Sequence, residues 1–288
     1  MKFVEFSQAG RRGLAVDTSA RDLRGWRQGD AGYPGGLHAL IAAGEGALMQ
    51  AGRALAGGRE VDPGAITVLP PISNPGKIIC IGLNYREHAA ESNVAPPKHP
   101  TVFARFASSL VGHGAPMIRP RISTQFDFEG ELLAVIGKPG RHISRERALD
   151  HVAGYSIFND GSVRDIQLRT SQWTLGKNFD GTGAFGPSFV TADSLPTGAR
   201  GLRLVTRLNG VVVQDASTDD LIFDIATLIA DLSIAFTLMP GDVIVTGTPS
   251  GVGMARSPQV FMRHGDICEV EIEGIGTLRN PVEDESSA

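Results

Sequence analysis

The stretch STQFDFEGELLAVIG, residues 123–137, decides what kind of core this chain builds. Read as a β-strand, its side chains alternate between two faces. Phe126, Phe128, Gly130, Leu132, Ala134 and Ile136 share one face, and Asp127, Glu129 and Glu131 share the other. Acids spaced roughly 6–7 Å apart along one side of a strand repel one another. A solvated strand face is the plainer reading, and for a single E-x-E it suffices. Two features argue against it. The strand runs on into LLAVIG, apolar on both faces, so it enters the core. A further acid, Asp160, ends a second apolar run, YSIFNDGS. Buried like charges must take up protons or find a cation. Oxygen ligands without a neighbouring Cys or His favour a hard divalent ion: Mg²⁺, Mn²⁺ or Ca²⁺.

The bulk of the chain narrows its class. Its 288 residues suffice for one large domain or two modest ones. With 27 Lys and Arg against 31 Asp and Glu, the net charge of −4 is not that of a general nucleic-acid binder. No charge run suggests a membrane surface, and no window approaches the ~18 apolar residues of a membrane span. The first residues, MKFVEFSQAGRRGLAV, lack the apolar centre of a signal peptide. Cys80 and Cys268 each sit in a strand-like apolar run, as buried thiols do, and a reducing, cytoplasmic location is expected. The 36 glycines and 17 prolines imply many tight turns between short strands, hence a β-rich fold.

Along the chain, residues 1–70 read as a small N-terminal α/β unit, and residues 71–288 as the domain that carries the chemistry. The N-terminal unit starts with two strands around a Gly-containing turn. It continues through GGLHALIAAGEGALMQAGRALAG, which has helical spacing. Strands are then expected at KIICIG, PTVFARF, FDFEGELLAVIG, HVAGYSIFND, DVIVTGT and CEVEIEGIGTLRNPV. LRLVTRLNGVVVQDAS reads as a hairpin around Asn-Gly. DLIFDIATLIADLSIAFTLM reads as one long helix with Leu221, Ile225, Leu228, Ile229, Leu232 and Phe236 on its core stripe.

Several residues outside the acidic strand carry chemistry. His88 and Glu91 stand three apart on a short helical piece, NYREHAAES, and so share a face. Alone they suggest a surface pair. Beside a metal they suggest a base and the carboxylate that orients it, able to deprotonate water near neutral pH. The Pro-containing SNVAPPKHP that follows could connect a lid. Arg164 and Gln167 follow Asp160, Lys177 lies in LGKNFDG, and Thr248 lies in the Gly-rich turn VTGTPSGVG. That turn lacks the G-K-[ST] ending of a phosphate loop. Its small residues would leave backbone N–H groups and a hydroxyl open to a substrate carboxylate.

Taken in order, GKIICIGLNYREHAAES, FDFEGELLAVIGK, GYSIFNDGSVRDIQ, LGKNFDGTGAFGP and MPGDVIVTGTPSGVG resemble the successive signatures of the fumarylacetoacetate hydrolase family. They cover about three quarters of the chain, which is far more specific than any one motif. The His-x-x-Glu pair is most similar to the acylpyruvase branch. The resemblance implies an α+β, mostly β fold, with a mixed β-sandwich or roll as catalytic domain, and a homodimer. It implies Mg²⁺ or Mn²⁺ held by Glu129, Glu131 and Asp160, with Asp127 beside the metal rather than on it. It makes His88 and Glu91 the water-activating pair, Lys177, Arg164 and Gln167 oxyanion or substrate contacts, and Thr248 a contact for the substrate carboxylate. Val163 stands where the family commonly has Ala, and NFDGTGAFGP is a loose version of its motif.

The activity this implies is hydrolysis of a carbon–carbon bond in a 1,3-diketo acid such as an acylpyruvate or fumarylpyruvate. The dyad would activate water and the metal would stabilise the departing pyruvate enolate. Oxaloacetate decarboxylation, or tautomerisation or hydration of 2-oxo acids, would use the same centre. A catalytically silent dimer that binds metal or a small acid is the third reading, and the intact dyad and Lys177 argue against it.

Overall fold

LLAVIG does form a core strand. In the computed structural model, which describes residues 1–19, 22–91 and 97–286, strand Gly130–Ile136 is buried along its whole length. It lies inside a twelve-stranded sheet, antiparallel to Val152–Asp160 on one side and to Val243–Val245 on the other. Burial of both faces is why its sequence shows no apolar–polar alternation. Leu132, Ala134 and Ile136 enter one hydrophobic cluster, and Leu133 and Val135 enter another, so the strand divides its side chains between two cores.

The first core is shared with a second, five-stranded sheet, in which Arg203–Leu208 lies between Val211–Ser217 and Ile267–Ile272. Leu204, Val270 and Ile272 of that sheet pack with Leu132 and Ile157 of the large one. Two sheets sharing an apolar layer make a sandwich, and the mostly β expectation holds. The Asn-Gly hairpin forms as read, with positive φ at Asn209 (52°) and Gly210 (78°), the conformation a two-residue hairpin turn needs.

The large sheet does not stop at the boundary expected near residue 70. Strand Lys2–Gln8 forms a hairpin with Arg11–Ser19 and also pairs with Gly183–Thr191. Phe3, Leu37 and Ile41 from the N-terminal region join Leu133, Phe185 and Phe189 in the second core. The expected helical stretch there is two helices, Leu37–Ala43 and Glu45–Ala56, broken at Gly44 where φ is 96°. A side chain resists that backbone angle, which glycine takes up freely.

Two other elements differ from the sequence reading. The long helix spans only Ile225–Ala235, because the Asp224 carboxylate caps it by accepting the Thr227 N–H at 2.8 Å. The residues before it are held out of the helix by Asn84, whose backbone carbonyl accepts the Ile222 N–H and whose Oδ1 accepts the Phe223 N–H. Likewise FDFEGELLAVIG is not one strand. Phe126–Asp127 pairs with Ser162–Val163 in a small separate sheet, and the main strand begins at Gly130.

Gly130 has no room for a side chain, since a Cβ there would overlap Thr206 Oγ1 and crowd Val270 on the facing sheet. Gly130→Ala is expected to cost about 1–3 kcal/mol of folding stability through overpacking. Urea unfolding measures this, and a loss below about 0.5 kcal/mol would refute so close an approach of the two sheets.

Candidate active site

Sheet register brings the acids together. Gly130 pairs with Asn159, and the Asp160 N–H donates to the Glu129 carbonyl at 2.8 Å, so Glu129 and Asp160 stand side by side at the strand ends. Glu131 is two residues further along the same face. One carboxylate oxygen from each of Glu129, Glu131 and Asp160 lies within 4.8 Å of the others, and all three residues are buried.

Three buried cations surround them. Lys177 Nζ bridges Glu129 at 2.6 Å and Asp160 at 2.8 Å. Arg164 joins Asp127 at 2.8 Å and Glu129 at 2.6 Å. Arg105, with no side-chain exposure, donates to Asp160 at 2.5 Å and to Thr182 Oγ1 at 2.8 Å. Burial drives the Glu129 carboxyl up, but Lys177 and Arg164 outweigh it and pull its pKa down to about 2. Burial lowers the Lys177 ammonium, and Asp160 and Glu129 more than restore it, so it stays protonated.

Asp127 belongs to a different group from the one strand parity gives it. The break in the strand turns it toward Arg164 and toward the N–H groups of Gly253 and Met254, at 2.8 and 2.9 Å. Arg164 Nη1 also donates to Gln167 Oε1 at 2.9 Å, while Arg164 Nη2 is buried without a partner among the described residues. His88 Nδ1 faces Glu91 Oε2 at 3.3 Å, and Glu91 is fixed in turn by the Gly251 N–H at 3.0 Å. Residues 92–96 of the expected lid connection lie outside the described residues.

The Gly-rich turn is more committed than its composition suggests. The N–H groups of Gly247, Gly251, Gly253 and Met254 bind Glu131, Glu91 and Asp127, the protein's own carboxylates. The Thr248 hydroxyl donates to the Gly130 carbonyl at 3.0 Å and accepts from Gln214 Nε2 at 2.8 Å. Its proton therefore serves the acidic strand and is not free for a ligand. All the same, Thr248 lines a cavity of about 420 Å³ with His88, Glu91, Glu129, Glu131, Arg164, Gln167 and Lys177.

Three supporting residues escape a reading by motif. Asn159 Oδ1 accepts the Glu129 N–H at 3.0 Å, and Gln214 Oε1 accepts the Gly130 N–H at 3.0 Å. Arg105 shares strand parity with Phe103 in PTVFARF, and a lone arginine in an apolar strand was the one available signal for it.

A divalent ion fits what these residues leave open. Among Asp127, Glu129, Glu131, Asp160, Arg105, Arg164 and Lys177 there are four acids and three bases, 3 − 4 = −1. The excess falls on Glu131, whose partner among the described residues is the Gly247 N–H at 2.5 Å. Burial and the charges of Asp160 and Glu129 raise its pKa well above the usual carboxylate range. Three convergent carboxylates with one charge uncompensated form a hard, all-oxygen donor set.

Known proteins resemble the chain over most of its length. Residues 77–283 match the family model described as the fumarylacetoacetate (FAA) hydrolase C-terminal domain. A mitochondrial oxaloacetate tautomerase of Xenopus laevis is 41% identical over 291 residues, covering 98% of this chain and 90% of that protein. A fumarylacetoacetate hydrolase structure from Exiguobacterium antarcticum superposes with a TM-score of 0.85 at 35% identity, covering 99% and 100% of the two chains. A maleylpyruvate hydrolase from Sphingobium sp. SYK-6, solved with manganese(II) and pyruvate, superposes with a TM-score of 0.81 at 28% identity and the same coverage.

Glu131→Gln removes the carboxylate that lacks a cationic partner. In EDTA the variant is expected to be about 1–3 kcal/mol more stable than the parent, because folding no longer has to protonate Glu131 or bury its charge unpaired. It should also lack the rise in Tm that Mn²⁺ is expected to give the parent. Scanning calorimetry with and without Mn²⁺ reads both effects, and an undiminished Mn²⁺ shift would remove Glu131 from the metal set.

Proposed function

The chain belongs to the fumarylacetoacetate hydrolase family, and from that premise we propose that it is a metal-dependent tautomerase of small 2-oxo diacids such as oxaloacetate. It is an enzyme of that family, and the substrate and reaction are our reading. The observation that carries it is the His88–Glu91 pair, which lines the same cavity as Glu129 and Glu131 of the acidic cluster. Relatives named oxaloacetate tautomerase, 41–43% identical over 88% or more of this chain, favour this reading over hydrolysis.

Glu129, Glu131 and Asp160 would hold Mg²⁺ or Mn²⁺, with Ca²⁺ as the remaining candidate. When bound, the ion supplies Lewis acidity that makes the C3–H beside a 2-oxo group easier to ionise. With Nδ1 toward Glu91, His88 carries its proton there and leaves Nε2 as the base. In the keto-to-enol direction Nε2 takes a proton from C3, the C–H electrons become the C2–C3 double bond, and the proton passes back from Nε2 to the C2 oxygen. Arg164 and Gln167, which both line the cavity, would bind the second carboxylate. Lys177 has one N–H left beyond its two carboxylates and would steady the oxygen where charge develops. Thr248 holds the Gly130 backbone between the two glutamates. Asp127 positions Arg164.

Carbon–carbon hydrolysis of an acylpyruvate is the second reading, supported by the resemblance in fold to a maleylpyruvate hydrolase. There His88 would deprotonate a water that attacks the distal carbonyl. Decarboxylation of oxaloacetate would need no such base. A homodimer is part of the same proposal, and sedimentation equilibrium tests it.

Oxaloacetate enol, followed by its ultraviolet absorbance beside acetylpyruvate and carbon dioxide release, separates these activities. The parent with Mg²⁺ is expected to accelerate ketonisation most, and His88→Ala to lose about 10²-fold or more of that rate. A variant within threefold of the parent would refute the assigned base. Acetylpyruvate cleavage exceeding tautomerisation would put hydrolysis first.

A further inference from the structure

A four-carbon diacid leaves much of a 420 Å³ cavity unfilled. Phe103, Trp173 and Leu168 line it together with the groups that suit a diacid. These apolar side chains come close to the charged centre: Lys177 Nζ, bonded to Glu129 and Asp160, is 5.1 Å from the Phe103 ring centroid. Phe103 meets Trp173 edge to face, with centroids 5.5 Å apart and planes at 67°. Gly82 makes room for this pair, since a Cβ there would overlap the six-membered ring of Trp173. Leu168, next to Gln167, is 58% exposed although it lines the cavity. Large apolar side chains facing an aqueous cavity beside charged groups are an unfilled binding surface. Two rings already in edge-to-face contact present a face and an edge to a third.

We propose that the same site accepts 2-oxo acids whose enolisable carbon carries an aryl-sized apolar group, and interconverts their keto and enol forms. The reading rests on the tautomerase assignment above and extends it to a second substrate class. The chemistry is unchanged: a C3–H bond breaks, its electrons form the C2–C3 double bond, and the proton reappears on the C2 oxygen. No oxidant or second reactant is required. An aryl group on C3 conjugates with the enol and so lowers the demand on His88.

Phenylpyruvate is the probe and pyruvate its control. Calorimetry on the Mg²⁺-loaded full chain is expected to show phenylpyruvate binding at least tenfold more tightly than pyruvate. Trp173→Ala should reduce that ratio to below threefold. Should Trp173→Ala fail to fold, Trp173→Leu keeps the apolar bulk without the ring and is expected to lower the ratio at least twofold. The parent should also speed decay of the phenylpyruvate enol absorbance. Equal affinity for the two acids, or an unchanged ratio in the folded variant, would overturn the aryl subsite while oxaloacetate turnover stood. Absence of turnover on both oxaloacetate and phenylpyruvate, with the affinity ratio intact, would overturn the tautomerase reading and uphold the subsite.

Discussion

Four buried carboxylates, three of them converging and the fourth tied in through Arg164, constrain everything else in this molecule. Leaving them ionised without compensation would cost several kcal/mol per charge, so the fold brings cations from three distant segments to meet them. Arg105 ends one edge strand, Arg164 opens a short helix after Asp160, and Lys177 ends another. The three bases neutralise all but one acid, and that shortfall gives the cluster its affinity for a further positive charge. An apolar interior on both faces of the main strand makes this balance matter, since a low local dielectric strengthens every pairing and every mismatch.

The same economy governs the uncharged groups. The segment Glu129–Glu131, where the main strand starts, is held by side-chain amides as well as by the ladder: Asn159 takes the Glu129 N–H and Gln214 takes the Gly130 N–H. The Gly-rich turn then fastens Glu131, Glu91 and Asp127 with its backbone N–H groups. Glycine suits these positions because a side chain at Gly247 or Gly253 would collide with Asn84 or with the Val260 carbonyl. Each acid is aimed before any ligand arrives, which is the preorganisation that electrostatic catalysis relies on.

Much of the site could be read from the sequence, and the limits have physical causes. Strand parity placed Glu129 and Glu131 on one face, and the apolar runs marked them and Asp160 as buried, because those signals are local. Asp127 obeyed the same parity yet faces Arg164, since the ladder breaks between Asp127 and Gly130 and parity does not survive a break. The helix shortened to Ile225–Ala235 because Asn84, 138 residues before Ile222, claims backbone groups that the periodic pattern alone would give to the helix. Gln214 and Asn159 were silent for a similar reason. Each acts on an atom of another strand, and one chain read by itself contains no trace of that pairing. Thr248 was found for its hydroxyl, but the hydroxyl's partner is the acidic strand.

Anomalous diffraction from crystals grown with Mn²⁺ tests the central claim most directly. One peak is expected within roughly 2.0–2.3 Å of an oxygen from each of Glu129, Glu131 and Asp160. A peak bound elsewhere, or none at millimolar Mn²⁺ with Lys177 still bridging Glu129 and Asp160, would contradict it.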